Sequence, residues 1–410
     1  RADNRRQPGL HGTGANGLLG KILGTLQKFR NKTLKITSAR SWVVKVPWDD
    51  KPGADEPRDP TERTFVLIQV DTDEGITGIG ECFRRQPQVI KTLIEYTLGP
   101  TLVGQDPLDN ELRWRDMYRA GSASDMGGAI YCAIAGLDIA LWDIKGKALG
   151  MPIHKLLGGK LKDKIRMYAS SLRRDMSPSE EARRAASFVE QGYTAYKLHS
   201  AVPGEMDDPA DQTIETVRAV RAAVGDDIEI LVDVNGAFTT HHALEIGKAL
   251  EDLGVFHFEE PRPHYDLPGL ATIADTLDIP IASGEMIYTH WQYRDLILQG
   301  RVDILQPDIV KVPGFTEFQK IAALASAFSK PITVHNTQPT ISTVAHLHVC
   351  AAYANIPYAQ EYNIEPLSIR DEWPILKEPL QVIDGYLQVP DGPGLGAEFD
   401  EAVVQRLAAA

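Results

Sequence analysis

The chain has few cysteines, no long apolar stretch and fewer basic than acidic residues. Its three cysteines, Cys82, Cys132 and Cys350, are widely spaced in 410 residues, which argues against a disulfide framework or a zinc knuckle and favours a reducing, cytoplasmic compartment. No run reaches 18 apolar residues, so no segment is predicted to span a membrane. Lys and Arg number 43 against 56 Asp and Glu, a net charge of −13, and such an acidic surface disfavours a nucleic-acid partner.

The N-terminal stretch differs from the rest in charge. Residues 1–35 contain eight Lys or Arg and one acid, Asp3, with apolar residues at helical spacing. A basic amphipathic targeting or membrane-surface helix is one interpretation. The other, which we favour, is a tag or a start assigned too early. We therefore treat residues 1–33 as an extension outside the fold.

Residues 34–150 have the pattern of a small α+β domain. Strand-like runs at 35–48, 64–70 and 76–82 alternate apolar and polar residues, with an Asp-Glu-Gly turn before the third run. This pattern predicts an antiparallel sheet. Helical patterns follow at 88–98, 109–118 and 127–148, and the last ends with the Gly150 and Pro152 stop signal.

From residue 151 to 365 short apolar strands alternate with amphipathic helices. Such strands predict a parallel sheet covered on both faces, and eight of them favour a closed barrel over an open doubly wound sheet. No G-x-G-x-x-G follows the first strand, which weakens a dinucleotide-binding interpretation. Residues 366–410 contain an extended run at 386–389, and we expect this tail to return to the N-terminal sheet. The predicted strands are 165–169, 195–199, 228–234, 256–259, 280–283, 304–312, 331–334 and 358–361.

Ionisable residues follow nearly every predicted barrel strand. Functional side chains of such barrels lie at these carboxyl ends. Three of the acids are separated by 26 residues each, one βα unit, and their mutual repulsion would be costly without a cation. Three carboxylates with open positions suit Mg²⁺, whereas salt bridges inside the barrel mouth are the alternative. The strand-end residues are Lys197, His199, Asp233, Glu259, Glu285, Asp308, His335 and Glu361.

An ordered series of motifs resembles the mandelate racemase subgroup of the enolase superfamily. The resemblance implies a modified (β/α)7β barrel, a capping α+β domain built from both termini, and a homo-oligomer, often an octamer. It also implies Mg²⁺-assisted removal of the proton alpha to a carboxylate. The motifs are AIAGLDIALWDIKGKALGMPIHKLLGG (133–159), LVDVNG (231–236), FEEP (258–261), SGEM (283–286), QPDIVK (306–311) and PDGPGLG (390–396).

The resemblance also implies a role for each strand-end residue. Asp233, Glu259 and Glu285 match the metal ligands. Asp308 and His335 match an Asp–His dyad, and Glu361 matches the acid that hydrogen-bonds the substrate carboxylate. In such a dyad the acid would fix the imidazole tautomer and raise its basicity.

The sequence departs from the subgroup after the second barrel strand. Lys-x-Lys is frequent there, whereas this chain has Lys197-Leu198-His199. Period-2 alternation places Lys197 and His199 on the same inward face. His199 can serve as a base, as an acid for a departing hydroxyl, or as a substrate contact, and Lys197 can contact the substrate carboxylate.

Polar loops at 49–62, 82–88 and 201–211 favour a polyhydroxylated substrate. We therefore expect an acid-sugar dehydratase. A sugar-acid or lactone cycloisomerase or a racemase/epimerase is the alternative, and a non-catalytic sugar-acid-binding barrel is a more remote one. Arg84 and Arg85 can bind an anionic substrate or lie in a solvated loop, and the pattern assigns no role to Lys311.

Overall fold

A computed structural model describes residues 34–46, 64–122, 127–201, 204, 206–366, 368–372 and 374–408. The N-terminal extension and the 49–62 loop lie outside these residues. Across the part of the chain that is described, no helix combines the length and the apolarity needed to cross a membrane.

The elements follow the predicted order of an α+β domain and a barrel. The strands are β1 Ile36–Lys45, β2 Thr64–Thr72, β3 Thr77–Cys82, β4 Lys164–Ser170, β5 Ala195–His199, β6 Glu229–Asp233, β7 His257–Glu259, β8 Ile281–Ser283, β9 Ile304–Leu305, β10 Gln360–Asn363 and β11 Tyr386–Gln388. The helices are α1 Pro87–Leu93 with a π-helical turn Ile94–Leu98, α2 Gly99–Leu102, α3 Asn110–Gly121, α4 Ala129–Leu149, α5 Ile153–Leu156, α6 Pro178–Val189, α7 Thr213–Val224, α8 Thr240–Asp252, α9 Leu267–Thr276, α10 His290–Asp295 with a π-helical turn Leu296–Gly300, α11 Gly314–Ala327, α12 Ile341–Ala352, α13 Ser368–Asp371 and α14 Glu401–Ala408.

The N-terminal domain, which we call the cap, is an antiparallel β1-β2-β3 sheet with helix α4 packed on one face. Helix α4 approaches the sheet closely because β3 carries glycine where the two meet. A Cβ on Gly80 would lie 2.0 Å from the carbonyl oxygen of Gly136 in α4. Any larger residue would therefore push the helix off the sheet, which explains the glycines of this strand.

The second domain is the predicted parallel barrel. Its strand order is β10-β4-β5-β6-β7-β8-β9, so the last strand pairs with the first. In register, His199 lies beside Asp233 and Asp233 beside Glu259. Because parallel strands in register end at one edge, the ionisable residues of neighbouring strands meet at one mouth.

Two predicted barrel strands are much shorter than expected. The run at 304–312 is a strand only at Ile304–Leu305, because the carbonyl of Asp308 accepts the N–H groups of Lys311 and Val312 and turns the chain out of the sheet. The run at 331–334 makes one isolated bridge, from Ile332 to Leu305. Both runs are buried, so their apolar composition reflects burial rather than strand pairing.

The C-terminal tail has two attachments. Strand β11 pairs antiparallel with the start of β4 in the barrel. Helix α14 packs against β1 of the cap. The tail therefore contacts both domains.

Candidate active site

Three carboxylates from neighbouring barrel strands converge at the mouth. Asp233 ends β6, Glu259 ends β7, and Glu285 follows β8 after Gly284. One ligand oxygen from each lies within 4.8 Å of the others, and all three side chains are buried. We call Asp233, Glu259 and Glu285 the carboxylate trio.

Lys197 lies beneath the trio and not at the open mouth. Its side chain is 1% exposed. Nζ lies 3.0 Å from Glu259 Oε2, 2.9 Å from Glu361 Oε1 and 3.7 Å from Asp233 Oδ2. Burial opposes the charge, but these carboxylates outweigh it and raise the pKa of Lys197. Lys197 is therefore a fixed internal cation shared by three acids.

Two imidazoles approach the trio from different strands. His199 Nε2 lies 2.9 Å from Asp233 Oδ2, while its Nδ1 lies 2.6 Å from the carbonyl oxygen of Ser171. His335 Nε2 lies 2.9 Å from Glu285 Oε2. Each imidazole thus reaches a different member of the trio, so two titratable rings flank the cluster.

Asp308 and His335 form a hydrogen-bonded pair. His335 Nδ1 donates to Asp308 Oδ2 at 2.7 Å, and Asp308 Oδ1 accepts the backbone N–H of Val310 at 3.0 Å. Burial opposes protonation of His335, but Glu285 and Asp308 outweigh it and raise its pKa to about 10. The pair fixes the ring so that Nε2 points toward the trio.

Glu361 has both carboxylate oxygens engaged. Oε1 accepts from the Ser170 hydroxyl at 2.7 Å and pairs with Lys197, and Oε2 accepts the backbone N–H of Asn336 at 2.6 Å. Burial disfavours the charged form of Glu361. The positive charge of Lys197 is the largest of the influences that favour it, and the pKa of Glu361 is about 2. These contacts hold Lys197 and the chain next to His335.

The charges at the mouth match a divalent cation. Six buried carboxylates face two buried lysines, so the acids exceed the fixed cations. Among the residues described, nothing bonds to Glu260 Oε1; burial and the neighbouring carboxylates raise the pKa of this side chain. Oxygen ligands of this number and charge suit a hard ion such as Mg²⁺. The carboxylates are Asp233, Glu259, Glu260, Glu285, Asp308 and Glu361, and the lysines are Lys197 and Lys311.

Lys311 belongs to the site although the pattern assigned it no role. Its Nζ lies 3.4 Å from Glu285 Oε1 and 4.5 Å from the centroid of the Phe83 ring. The sequence signal that could have identified Lys311 as a site residue was its position three residues after Asp308. The turn that brings it back over the trio depends on the Asp308 carbonyl, which the sequence does not reveal.

The two arginines after β3 differ in their surroundings. Arg84 is buried, and its guanidinium donates to the Thr337 hydroxyl at 3.0 Å. Arg85 is exposed. Arg84 therefore joins the cap to the chain just after His335.

Comparisons with known proteins agree with this geometry. The family profile "Mandelate racemase / muconate lactonizing enzyme, N-terminal domain" matches residues 38–158, and "Enolase C-terminal domain-like" matches residues 180–403. The chain is 34% identical to an arabinonate dehydratase of Saccharolobus solfataricus, over 83% of this chain and 90% of that protein. It is 33% identical to a D-galactarolactone cycloisomerase of Agrobacterium fabrum, over 82% and 89%.

Solved structures share the fold. A mandelate racemase/muconate lactonizing protein from Paracoccus denitrificans, crystallised with magnesium, superposes with a TM-score of 0.82 at 32% identity. The superposition covers 91% of this chain and 98% of that one. Both domains of the present chain are therefore those of a known architecture.

Proposed function

Because the chain belongs to the mandelate racemase/muconate lactonizing enzyme family of the enolase superfamily, we propose that it is a Mg²⁺-dependent acid-sugar dehydratase. The substrate is a sugar acid with a hydroxyl beta to its acidic carbon–hydrogen bond. The product is a 2-keto-3-deoxy acid. Relatives with dehydratase names act on arabinonate, xylonate, gluconate and galactonate.

One observation carries the proposal. The carboxylate trio is flanked by two imidazoles, His199 on Asp233 and His335 on Glu285, each at 2.9 Å. A metal site alone needs no proton-transfer groups, and a proton relay alone needs no cluster of three acids. Their combination suits removal of a weakly acidic proton next to a carboxylate.

The trio would hold Mg²⁺ through Asp233, Glu259 and Glu285, and the bound ion would supply Lewis-acid stabilisation of the negative charge that develops on the substrate carboxylate. The carboxylate charge that raises the pKa of His335 would be offset where Glu285 binds Mg²⁺, so that a neutral imidazole takes the alpha proton on Nε2 and the carbon–hydrogen electrons pass into the enediolate. Asp308 holds Nδ1, so the imidazole keeps its direction and gains basicity. The enediolate then expels the beta hydroxyl, which leaves as water with a proton from the imidazolium, and the enol tautomerises to the ketone.

His199 and Lys197 complete the site. His199 is oriented by the Ser171 carbonyl at Nδ1, so its Nε2 is the nitrogen that a substrate at the trio would meet. His199 is thus the second acid or base, or a contact to a substrate hydroxyl. Lys197, held by Glu259 and Glu361, adds fixed positive charge beneath the substrate carboxylate.

The test is a library of aldonic and aldaric acids incubated with the chain and Mg²⁺ in deuterated water. We expect a 2-keto-3-deoxy product from at least one acid, loss of turnover on chelation, and loss of turnover in H335N. Deuterium incorporation without any keto acid would refute the dehydratase reaction. Turnover that is unchanged in H335N or independent of metal would refute the mechanism.

Cycloisomerisation or racemisation is the second candidate. A D-galactarolactone cycloisomerase is as similar to this chain as the dehydratases are, and two imidazoles at the trio can act on two faces of one carbon. Lactones belong in the same library, with product identity as the readout. The family resemblance also leads us to include a homo-oligomer in the proposal, which the molar mass in solution checks.

A further inference from the structure

The chain between His335 and helix α12 is buried and irregular. Residues 336–340 lie in no helix or strand, and each is buried. Buried backbone and side-chain polar groups of such a segment need partners from elsewhere. On the barrel side, the N–H of Asn336 donates to Glu361 and Asn363 Nδ2 donates to the carbonyl of Thr337 at 2.8 Å. These bonds hold the residues directly after His335.

The next residues are held by the cap through Glu81, near the end of β3. This carboxylate is 0% exposed. It accepts from Gln338 Nε2 at 2.7 Å, from the Thr340 hydroxyl at 2.6 Å and from the backbone N–H of Ser342 at 2.8 Å. One side chain from another domain thus binds three residues of the segment that follows His335.

Glu81 also takes the place of the usual N-cap hydrogen bond at the start of helix α12. Thr340 is the N-cap residue, but its hydroxyl accepts no bond from the helix and instead donates to Glu81. Ser342 lies in the first turn, where backbone N–H groups lack partners within the helix. A carboxylate is favourable at this positive end. The start of α12 is therefore set by the position of the cap.

A second link runs through Gln338. Its Oε1 accepts the backbone N–H of Arg84 at 2.8 Å, while its Nε2 also donates to the carbonyl of Cys82 at 3.2 Å. Between these two residues lies Phe83, whose ring centroid is 6.5 Å from that of His335. The cap thus holds the segment after His335 and also lies against the imidazole.

We propose that Glu81 is a positioning residue for His335. His335 then has its reactive geometry only when the cap is packed against the barrel. The hydrogen bonds of Glu81 go to residues 338–342 and to none of the trio or the dyad. Burial raises the pKa of Glu81, and repulsion from the Asp308 carboxylate is a minor influence in the same direction. Glu81 acts through residues 338–342, which determine where the backbone of His335 lies and hence whether the ring spans Asp308 and the trio. The expected change in kcat rests on the proposed function, whereas the expected change in the position of His335 does not.

The test compares E81Q with the matched variant D138N. Asp138 is another fully buried cap carboxylate that binds the first turn of a barrel helix. It accepts the N–H of Thr316 at 3.0 Å and the Thr316 hydroxyl at 2.6 Å, at the start of α11. Both variants replace a buried carboxyl group by an amide at a cap–barrel contact, but only Glu81 contacts the segment after His335.

We expect kcat to fall about 100-fold in E81Q, with KM and the Mg²⁺ dissociation constant unchanged, because a displacement near 1 Å of a reacting group has an effect of that size. We expect D138N to keep a kcat close to wild type. Wild-type kcat in E81Q, or an equal loss in D138N, would overturn the proposal. If E81Q does not fold, T340V removes one donor and keeps the carboxylate; a smaller fall in kcat is then expected, and none would overturn the proposal.

A crystal structure of E81Q separates this inference from the proposed function. If the wild-type chain converts no sugar acid, the proposed function fails, but the position of His335 in E81Q still decides the role of Glu81. Loss of the 2.7 Å contact between His335 and Asp308 supports the positioning role. An unchanged contact overturns it.

Discussion

Replacement of Lys197 by Met tests how the charges of the site are balanced. Lys197 is 1% exposed and is the fixed cation nearest to Glu259, Glu361 and Asp233, at 3.0, 2.9 and 3.7 Å. Methionine has a similar length and no charge. The substitution therefore leaves three buried carboxylates without their shared counter-ion while keeping most of the packing.

The expected effects on stability and on metal binding have opposite signs. Removing one partner of a buried ion pair costs about 3–5 kcal/mol, because the remaining charge stays buried without compensation. Mg²⁺ binding should become at least about tenfold tighter, since repulsion between a single and a double positive charge a few Å apart amounts to several kcal/mol at an effective dielectric near 20. K197M should thus be unstable in chelator and regain stability in Mg²⁺.

Urea unfolding with EDTA and with Mg²⁺, together with calorimetric Mg²⁺ titration, measures both effects. At a Mg²⁺ concentration 100 times the dissociation constant, bound metal adds about 2.7 kcal/mol to any variant that binds it only when folded. The control is K248M, because Lys248 pairs with Glu251 at the exposed surface and should change neither quantity. Weaker Mg²⁺ binding by K197M, or unchanged stability in EDTA, would refute this account of the site.

Two further substitutions test the dyad and a buried histidine remote from it. D308N should lower kcat about 10²- to 10⁴-fold at unchanged Mg²⁺ affinity, because the imidazole loses the carboxylate that orients it and raises its basicity; steady-state kinetics with a Mg²⁺ titration measures this, and a loss below tenfold would contradict the dyad. His348 accepts the N–H of His154 at Nδ1 and lies 3.0 Å from the Leu395 carbonyl at Nε2, and burial lowers its pKa to about 4. Since the unfolded chain binds this proton first as pH falls through the window from 6.5 to 4, the free energy of unfolding should drop by about 2 kcal/mol between pH 7 and pH 5 on account of His348. H348Q can keep both bonds without titrating, so urea unfolding should show a smaller drop for it, and an equal drop would exclude His348 as the cause.

Much of the site followed from local sequence. The predicted barrel strands are largely apolar runs followed by ionisable residues, so Asp233, Glu259 and His335 were recognisable individually. The regular 26-residue spacing of Asp233, Glu259 and Glu285 then predicted that the strands carrying them are neighbours. The strand register brings Asp233 and Glu259 side by side, in agreement with that reasoning.

Other features could not be predicted from neighbouring residues in the sequence. The apolar run at 304–312 predicted one long strand, but burial in a loop and burial in a strand select the same residues. Lys311 enters the site through the turn at Asp308. The polar partners of Lys197 lie on three other strands, so its position beneath the trio was not evident from its own surroundings.

The sequence by itself determined the order of elements, the parallel barrel and the set of ionisable strand ends, because alternation, helical periodicity and motif order are properties of neighbouring residues. Only the tertiary structure decided which charges pair, that β11 joins the barrel, and that Glu81 binds the chain after His335 across more than 250 residues. The physical reason is that a buried charge is stable only beside specific partners. Those partners are brought together by chain closure over long separations, for which a single sequence carries no local signal.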